Sequence, residues 1–101
     1  MAEFDLITCI VQRGVADKVT NVAMKFGAQG TTTFFARGTG VRQKLGLLGA
    51  LIQPEKEVLF IATKREQTDQ IFDEIVKTAK LDKPGEGLIY SQPIDRVVGL
   101  L

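Results

Sequence analysis

Seven consecutive residues, Gly38-Thr39-Gly40-Val41-Arg42-Gln43-Lys44, combine two glycines with two cations. Glycines let successive backbone N–H groups point into one concavity. Arg42 and Lys44 add charge, and a guanidinium can fork onto a phosphate. Together they have the composition of an anion nest. They form no P-loop, because no Gly-Lys-Ser/Thr follows, and no dinucleotide fingerprint, because no helix follows. An ordinary turn leaving an exposed strand accounts for the same residues. A second glycine turn, Gly85-Glu86-Gly87, stands before the last apolar run. Alone it needs no function beyond turning the chain. Two nests, on one subunit or across a subunit boundary, could grip a polyphosphate between them.

The nest runs into Leu45-Gly46-Leu47-Leu48-Gly49-Ala50-Leu51-Ile52, which carries no charge. Its two glycines disfavour a strand, and eight residues make a marginal helix. Exposed to water, Leu45, Leu47, Leu48, Leu51 and Ile52 would cost free energy unless covered. A self-packed loop and a partner-binding tip both satisfy that requirement.

Composition removes whole classes of chemistry. The 101 residues include no histidine and one cysteine, Cys9. Histidine-based triads, histidine phosphotransfer, most zinc sites and any disulfide framework are therefore out. Cys9 lies in an apolar strand-like run and reads as a small buried hydrophobe. The net charge of +1 supplies no global field for nucleic acid or membrane, so an anion site must be local. No apolar run approaches the ~20 residues of a membrane span, which argues against direct membrane insertion. The N-terminus lacks the basic flank of a signal peptide, and the cytoplasm is the expected compartment.

The elements that must hold these turns are legible from periodicity. Phe4–Val11 reads as a strand with two largely apolar faces, Phe4, Leu6, Thr8 and Ile10 on one and Ile7, Cys9 and Val11 on the other. From Val15 the apolar positions follow helical spacing to Phe26, and Gly27 stands where a terminating glycine belongs. Thr31–Arg37 is β-branched and aromatic, hence a strand. Val58–Ala62 reads as a strand buried on both faces. Thr63-Lys64-Arg65-Glu66 has the capping-box pattern and opens a second helix burying Ile71, Phe72, Ile75, Val76 and Ala79. Leu88–Ser91 is a short last strand, and Ile94–Leu101 a short tail.

The order is β-α-β, loop, β-α-β, and the halves echo each other, Val19 against Ile71 and Ala23 against Ile75. This is the α+β ferredoxin-like βαββαβ plan. Right-handed crossovers put both helices on one sheet face. The other face has no cover within the chain yet is apolar, and is expected to pack on further copies of the chain.

In its motifs the chain resembles the nitrogen-regulatory P-II signalling family, from about Leu6 to Pro93. The family's Gly-x-Gly-Arg-Gln-Lys-Gly segment, which opens its long T-loop, is matched by Gly38–Gly46 with Val41 and Leu45 as extras. Its B-loop is echoed by Leu81-Asp82-Lys83-Pro84-Gly85-Glu86-Gly87-Leu88-Ile89-Tyr90. The resemblance implies a single domain forming a homotrimer, with a T-loop at about 38–53 and a B-loop at about 81–88. It also implies an adenine nucleotide in each intersubunit cleft. Carried over by position, phosphates would meet Gly38, Thr39, Gly40, Arg42, Gly85, Glu86 and Gly87. The adenosine part would meet Ile10, Thr32, Phe60 and Ile61. Gln43, with Lys44 beside it, would face a magnesium ion or phosphate.

Departures from the family pattern adjust these expectations. Leu88 replaces the B-loop lysine, and the sequence given closes on Gly99-Leu100-Leu101 without the family's basic Arg-Ile-Arg segment. Fewer cations weaken triphosphate binding more than monophosphate binding, so ADP, AMP or a cyclic form is expected to compete well with ATP. The loop has no tyrosine or serine to modify. Glu55 stands where the family's lysine contacts 2-oxoglutarate and would repel a dicarboxylate, which weighs against that ligand. The resemblance implies signal transduction in nitrogen regulation, with the T-loop docking on an enzyme or membrane transporter. Leu45–Ile52 suits a hydrophobic groove.

Two other readings share the fold. An acylphosphatase-like enzyme would use Arg13 in Val11-Gln12-Arg13-Gly14, although Asn21 falls inside the first helix and no acid pair stands out. A structural oligomer with a degenerate cleft would need no ligand. Nucleic acid is not an expected partner, since the strands lack aromatic pairs set between basic residues.

Overall fold

A computed structural model of the chain describes residues 3–37 and 55–100. The segment between, with Gly38, Thr39, Gly40, Arg42, Gln43, Lys44, Leu45, Leu47, Leu48, Leu51 and Ile52, lies outside the described residues.

The described chain runs β1 (Phe4–Gln12), α1 (Ala16–Lys25), β2 (Gly30–Arg37), β3 (Glu55–Lys64), α2 (Arg65–Ala79) and β4 (Gly87–Ile94). The strands form one antiparallel sheet in the order β2-β3-β1-β4. This is the ferredoxin-like plan expected from the sequence. Each strand's register puts paired residues on one face. Ile7, Cys9, Val11, Leu59 and Ile61 face the helices and are fully buried. They pack on Val19 and Ala23 of α1 and Ile71 and Ile75 of α2, at the i, i+4 spacing of one helix stripe.

The opposite face has no helix on it. Phe34 and Phe60 pack 5.5 Å apart there, ring to ring, and remain 43% and 39% exposed. Leu88 and Tyr90 of β4 are exposed beside them at 52% and 43%. The uncovered apolar face inferred from the crossovers is thus present in the single chain.

Several boundaries move. β3 and β4 are longer than the apolar runs that announced them, because hydrogen-bonded pairing with β1 continues through Lys56 and Glu57 at one end and through Pro93 and Ile94 at the other. The turn of the second glycine pair ends at Glu86, so Gly87 and Leu88 belong to β4. The capping box is absent. Thr63 lies inside β3, Lys64 ends the strand and is the N-cap with no side-chain cap bond, and the Thr63 hydroxyl meets Thr68 Oγ1 at 2.6 Å instead. A buried carboxylate draws it there. Asp5 Oδ2 accepts from Thr68 Oγ1 at 2.7 Å, and Asp5 Oδ1 pairs with Arg65 at 2.8 Å. Because the single Thr68 hydroxyl proton points to Asp5, Thr63 is the donor to Thr68.

Candidate functional site

The strand pairings bring four chain segments to one end of the sheet. Gln12 at the end of β1 lies opposite Lys56 at the start of β3, and Arg37 at the end of β2 lies opposite Glu55. Gly87 at the start of β4 lies opposite Val11. The strand ends that flank both glycine turns are therefore at the same end. They are on opposite edges, however, with β3 and β1 between them, about 14 Å at the usual strand spacing. A single phosphate cannot touch both stems within one subunit.

The second turn is held by side chains. Gly85, at φ +85°, offers its carbonyl to Gln12 Nε2 at 2.8 Å, and Gln12 Oε1 accepts from Lys56 Nζ at 3.0 Å. Gly87 has a reason of its own to be glycine. At φ +146° its missing Cβ would overlap the Ile10 carbonyl oxygen. Strand packing alone demands this residue, whether or not a ligand sits nearby.

Glu57, Arg13 and Glu55 at this end are engaged internally. Glu57 Oε1 accepts from Gly14 N at 2.6 Å and Ala16 N at 3.3 Å, so a β3 carboxylate satisfies donors at the start of α1. Arg13 pairs with Glu55 at 3.1 Å and lies 6.0 Å over the Phe35 ring. The loop that an acylphosphatase-like enzyme would use to cradle phosphate already holds Glu57, and its arginine is turned to Glu55. Burial lowers the pKa of Lys56. It pushes the Cys9 thiol up from 9.0 to about 12, as befits a thiol in the core.

Ile10, Thr32 and Phe60, expected to meet the adenosine part, share the open face. Thr32 is directly opposite Phe60, and Ile10 is one diagonal away across β3 and β1. Ile61 does not join them. Its side chain points to the helices and is fully buried, so only its backbone can reach a ligand. Position-by-position carry-over does not register the pleat, which turns neighbours to opposite faces. Glu86 is in the turn, with its N–H on the Lys83 carbonyl. Among the described residues no group of three His, Cys, Asp or Glu gathers to hold a metal ion.

Sequence reading passed over Gln12, Lys56 and Glu57. Their signal is present in hindsight: three polar side chains on successive or paired strand ends, where apolar residues would otherwise continue.

The model of the family described as nitrogen regulatory protein P-II matches residues 4–100, spanning every strand and both helices. The chain belongs to the P-II family. Among solved structures, Arabidopsis thaliana PII bound to citrate superposes with a TM-score of 0.71 at 22% identity, covering 92% of this chain and 78% of that one. At that identity the likeness speaks to fold, and the fold it supports is the ferredoxin-like α+β sandwich. No curated protein matches the sequence. As a P-II protein the chain is a signal-transduction protein, and no described helix is long and apolar enough to cross a membrane.

Proposed function

We propose that this P-II protein binds an adenine nucleotide in clefts between three copies of itself and regulates a target protein through a short apolar T-loop. The observation that carries this reading is the arrangement of the open face. Ile10, Thr32 and Phe60 line it next to the sheet end where both glycine turns are attached, and the face is too apolar to stand in water. The 14 Å between the two stems in one subunit favours a cleft completed by a neighbour. Gly38, Thr39, Gly40 and Arg42 of one copy would then meet Gly85, Glu86 and Gly87 of the next around the phosphates. Gln43 and Lys44 would face magnesium or phosphate, and Leu45, Leu47, Leu48, Leu51 and Ile52 would form the docking tip. The target is an enzyme or a membrane transporter met from the cytoplasmic side.

The internal bonds of Glu57 and Arg13 favour this regulator over a phosphate-cradling enzyme. The citrate on the Arabidopsis protein supports an anionic small molecule as ligand in this fold. Glu55 is paired to Arg13 on the helix side of β3, away from the open face, so the carboxylate expected to repel 2-oxoglutarate is turned from the cleft and that ligand belongs in the test.

The test is a thermal-shift panel of ATP, ADP, AMP, cyclic AMP and cyclic di-AMP, with and without magnesium, plus 2-oxoglutarate. A ligand at ~100 times its dissociation constant stabilises by about 2.7 kcal/mol, roughly 10 °C for a domain of this size. The expected result is a shift with one adenine nucleotide that is lost in Arg42→Ala. No shift with any of them would leave the structural oligomer as the better account. Sedimentation should give a trimer, and a stable monomer at micromolar concentration would remove the intersubunit cleft altogether. Leu47→Ser with Leu48→Ser should abolish target docking and spare nucleotide binding.

A further inference from the structure

We infer that the β1–α1 turn is a coupling element, with Gln12 as its positioning residue. It ties the second glycine turn to the first residues of β3, so that a ligand settling on that turn acts on the strand that follows residues 38–54. This deepens the nucleotide reading and rests on it only for the ligand.

Three successive residues of β3 are held by the same short turn. Glu55 pairs with Arg13 at 3.1 Å, Lys56 Nζ donates to Gln12 Oε1 at 3.0 Å, and Glu57 Oε1 accepts from Gly14 N at 2.6 Å and Ala16 N at 3.3 Å. Arg13 also lies over Phe35 of β2, so one side chain bridges the two strands that bound residues 38–54. Gln12 makes a further bond, from Nε2 to the Gly85 carbonyl at 2.8 Å.

That bond reaches a segment with little else to hold it. Residues 82–85 are exposed, and β4 begins only at Gly87. The turn's own backbone bonds run from Lys83 N to the Lys80 carbonyl at 3.1 Å and from Glu86 N to the Lys83 carbonyl at 3.4 Å, the second near the limit of a hydrogen bond. A peptide group is planar, so holding the Gly85 carbonyl also fixes the direction of the Glu86 N–H on its opposite side. Gly85, at φ +85°, has the backbone freedom to turn that peptide when its carbonyl is released.

The chemistry of the link makes glutamine specific to it. An ammonium only donates and a carbonyl only accepts, so the group between them must accept at one atom and donate at another. An amide does both. A carboxylate would lose Gly85, and an ammonium would lose Lys56. Lys56 is half-buried, where its charge is disfavoured, and so depends on its acceptor. A ligand that rotates the peptide between Gly85 and Glu86, or draws the turn outward, takes the carbonyl from Gln12 and changes the acceptor that Lys56 meets. Coupling of this kind runs through contiguous contacts and is reciprocal.

The experiment is amide hydrogen exchange by NMR on the full chain, as wild type, Gln12→Met, Lys56→Met and the double variant. Lys56→Met leaves the Gln12 bond to Gly85 in place and frees only its other end. It should nevertheless raise exchange at Lys83, Gly85 and Glu86 by about 2- to 10-fold, the span given by one net hydrogen bond. Gln12→Met should raise exchange there and at residues 55–57, and the double variant should add nothing to it. Turn amides unchanged in Lys56→Met, or a rise that extends equally to residues 63–68 at the far end, overturn the coupling. ADP and pyrophosphate are then added to wild type and Gln12→Met. Protection of the turn in both proteins, with slowing at residues 55–57 in wild type alone, supports the coupling, and equal slowing there in both overturns it. Failure of both probes to protect the turn overturns the nucleotide reading, and the ligand-free comparison still decides the coupling.

Discussion

The two ends of the sheet use charge in opposite ways. At the far end, Asp5 is buried, and both of its oxygens are met, by Arg65 and by a Thr68 hydroxyl that itself accepts from Thr63. The Arg65 N–H also donates to the Glu3 carbonyl, so the start of β1 is fastened to the start of α2. At the site end, the Lys56 ammonium meets only an amide among the described residues, and the Arg13–Glu55 pair is largely in water. A closed polar network costs little to bury and specifies how elements meet. An open one retains capacity for something else. The contrast separates groups that build the domain from groups available to a ligand, without appeal to motif.

Breaking the closed end should have the largest effect. Asp5→Ala leaves Thr68 without its acceptor and Arg65 without its partner, and should cost about 3 kcal/mol of unfolding free energy by urea titration. The half-exposed Arg65 places this at the lower end for a broken buried pair. Ligand affinity per folded molecule should not change. A loss below about 1 kcal/mol would mean that water replaces the network readily and that the two ends differ less than their bonds suggest.

A smaller effect is expected at the site end from Glu57→Ala, which removes the carboxylate from the Gly14 and Ala16 amides. By analogy with other helix N-terminal acceptors it should cost about 1 kcal/mol. Stability unchanged by this variant would show that water caps α1 as well as Glu57 does. It would also free the Arg13 loop, and acyl-phosphate hydrolysis appearing in that variant would sharpen the case that Glu57 occupies an anion cradle.

Lys56→Gln should move stability least of the three, by less than about 0.5 kcal/mol, because no ion pair is lost. A cost comparable with that of Asp5→Ala would show that the Lys56–Gln12–Gly85 link holds the domain together as firmly as the closed network does.

Between the ends, Cys9 should add no pH dependence to stability near neutral pH. Its folded pKa of about 12 exceeds the ordinary 9.0, so the unfolded thiol ionises first. Stability is then retained below pH 9 and declines as pH rises through 9 towards 12. Cys9→Ala should show a shallower alkaline decline, and equal slopes would assign the decline to other groups.

The fold was readable because its signals are local and repeated. The alternation in β1, the helical stripes ending at Phe26 and Ala79, and Gly27 all announce themselves over short windows. The polar network was not readable, because Asp5 and Thr68 are 63 positions apart and Thr63 presents a plausible local cap. Tertiary burial of a carboxylate outbid the local motif. The site was half-legible. Resemblance drew attention to glycines and to one strand residue, Ile61, that the pleat turns inward. Gln12 and Lys56, which belong to no short motif, are tied to the second turn only by strand pairing.

Pro93 has a consequence for how far this sheet can grow. It sits within β4, an edge strand, and pairing with β1 continues past it to Ile94. Since proline has no N–H to give, its nitrogen must face away from β1, towards the free edge. The outer margin of β4 therefore carries a gap in its row of donors near the far end. A strand from another molecule adding along that margin would lose a bond there, which discourages runaway polymerisation through the β4 edge.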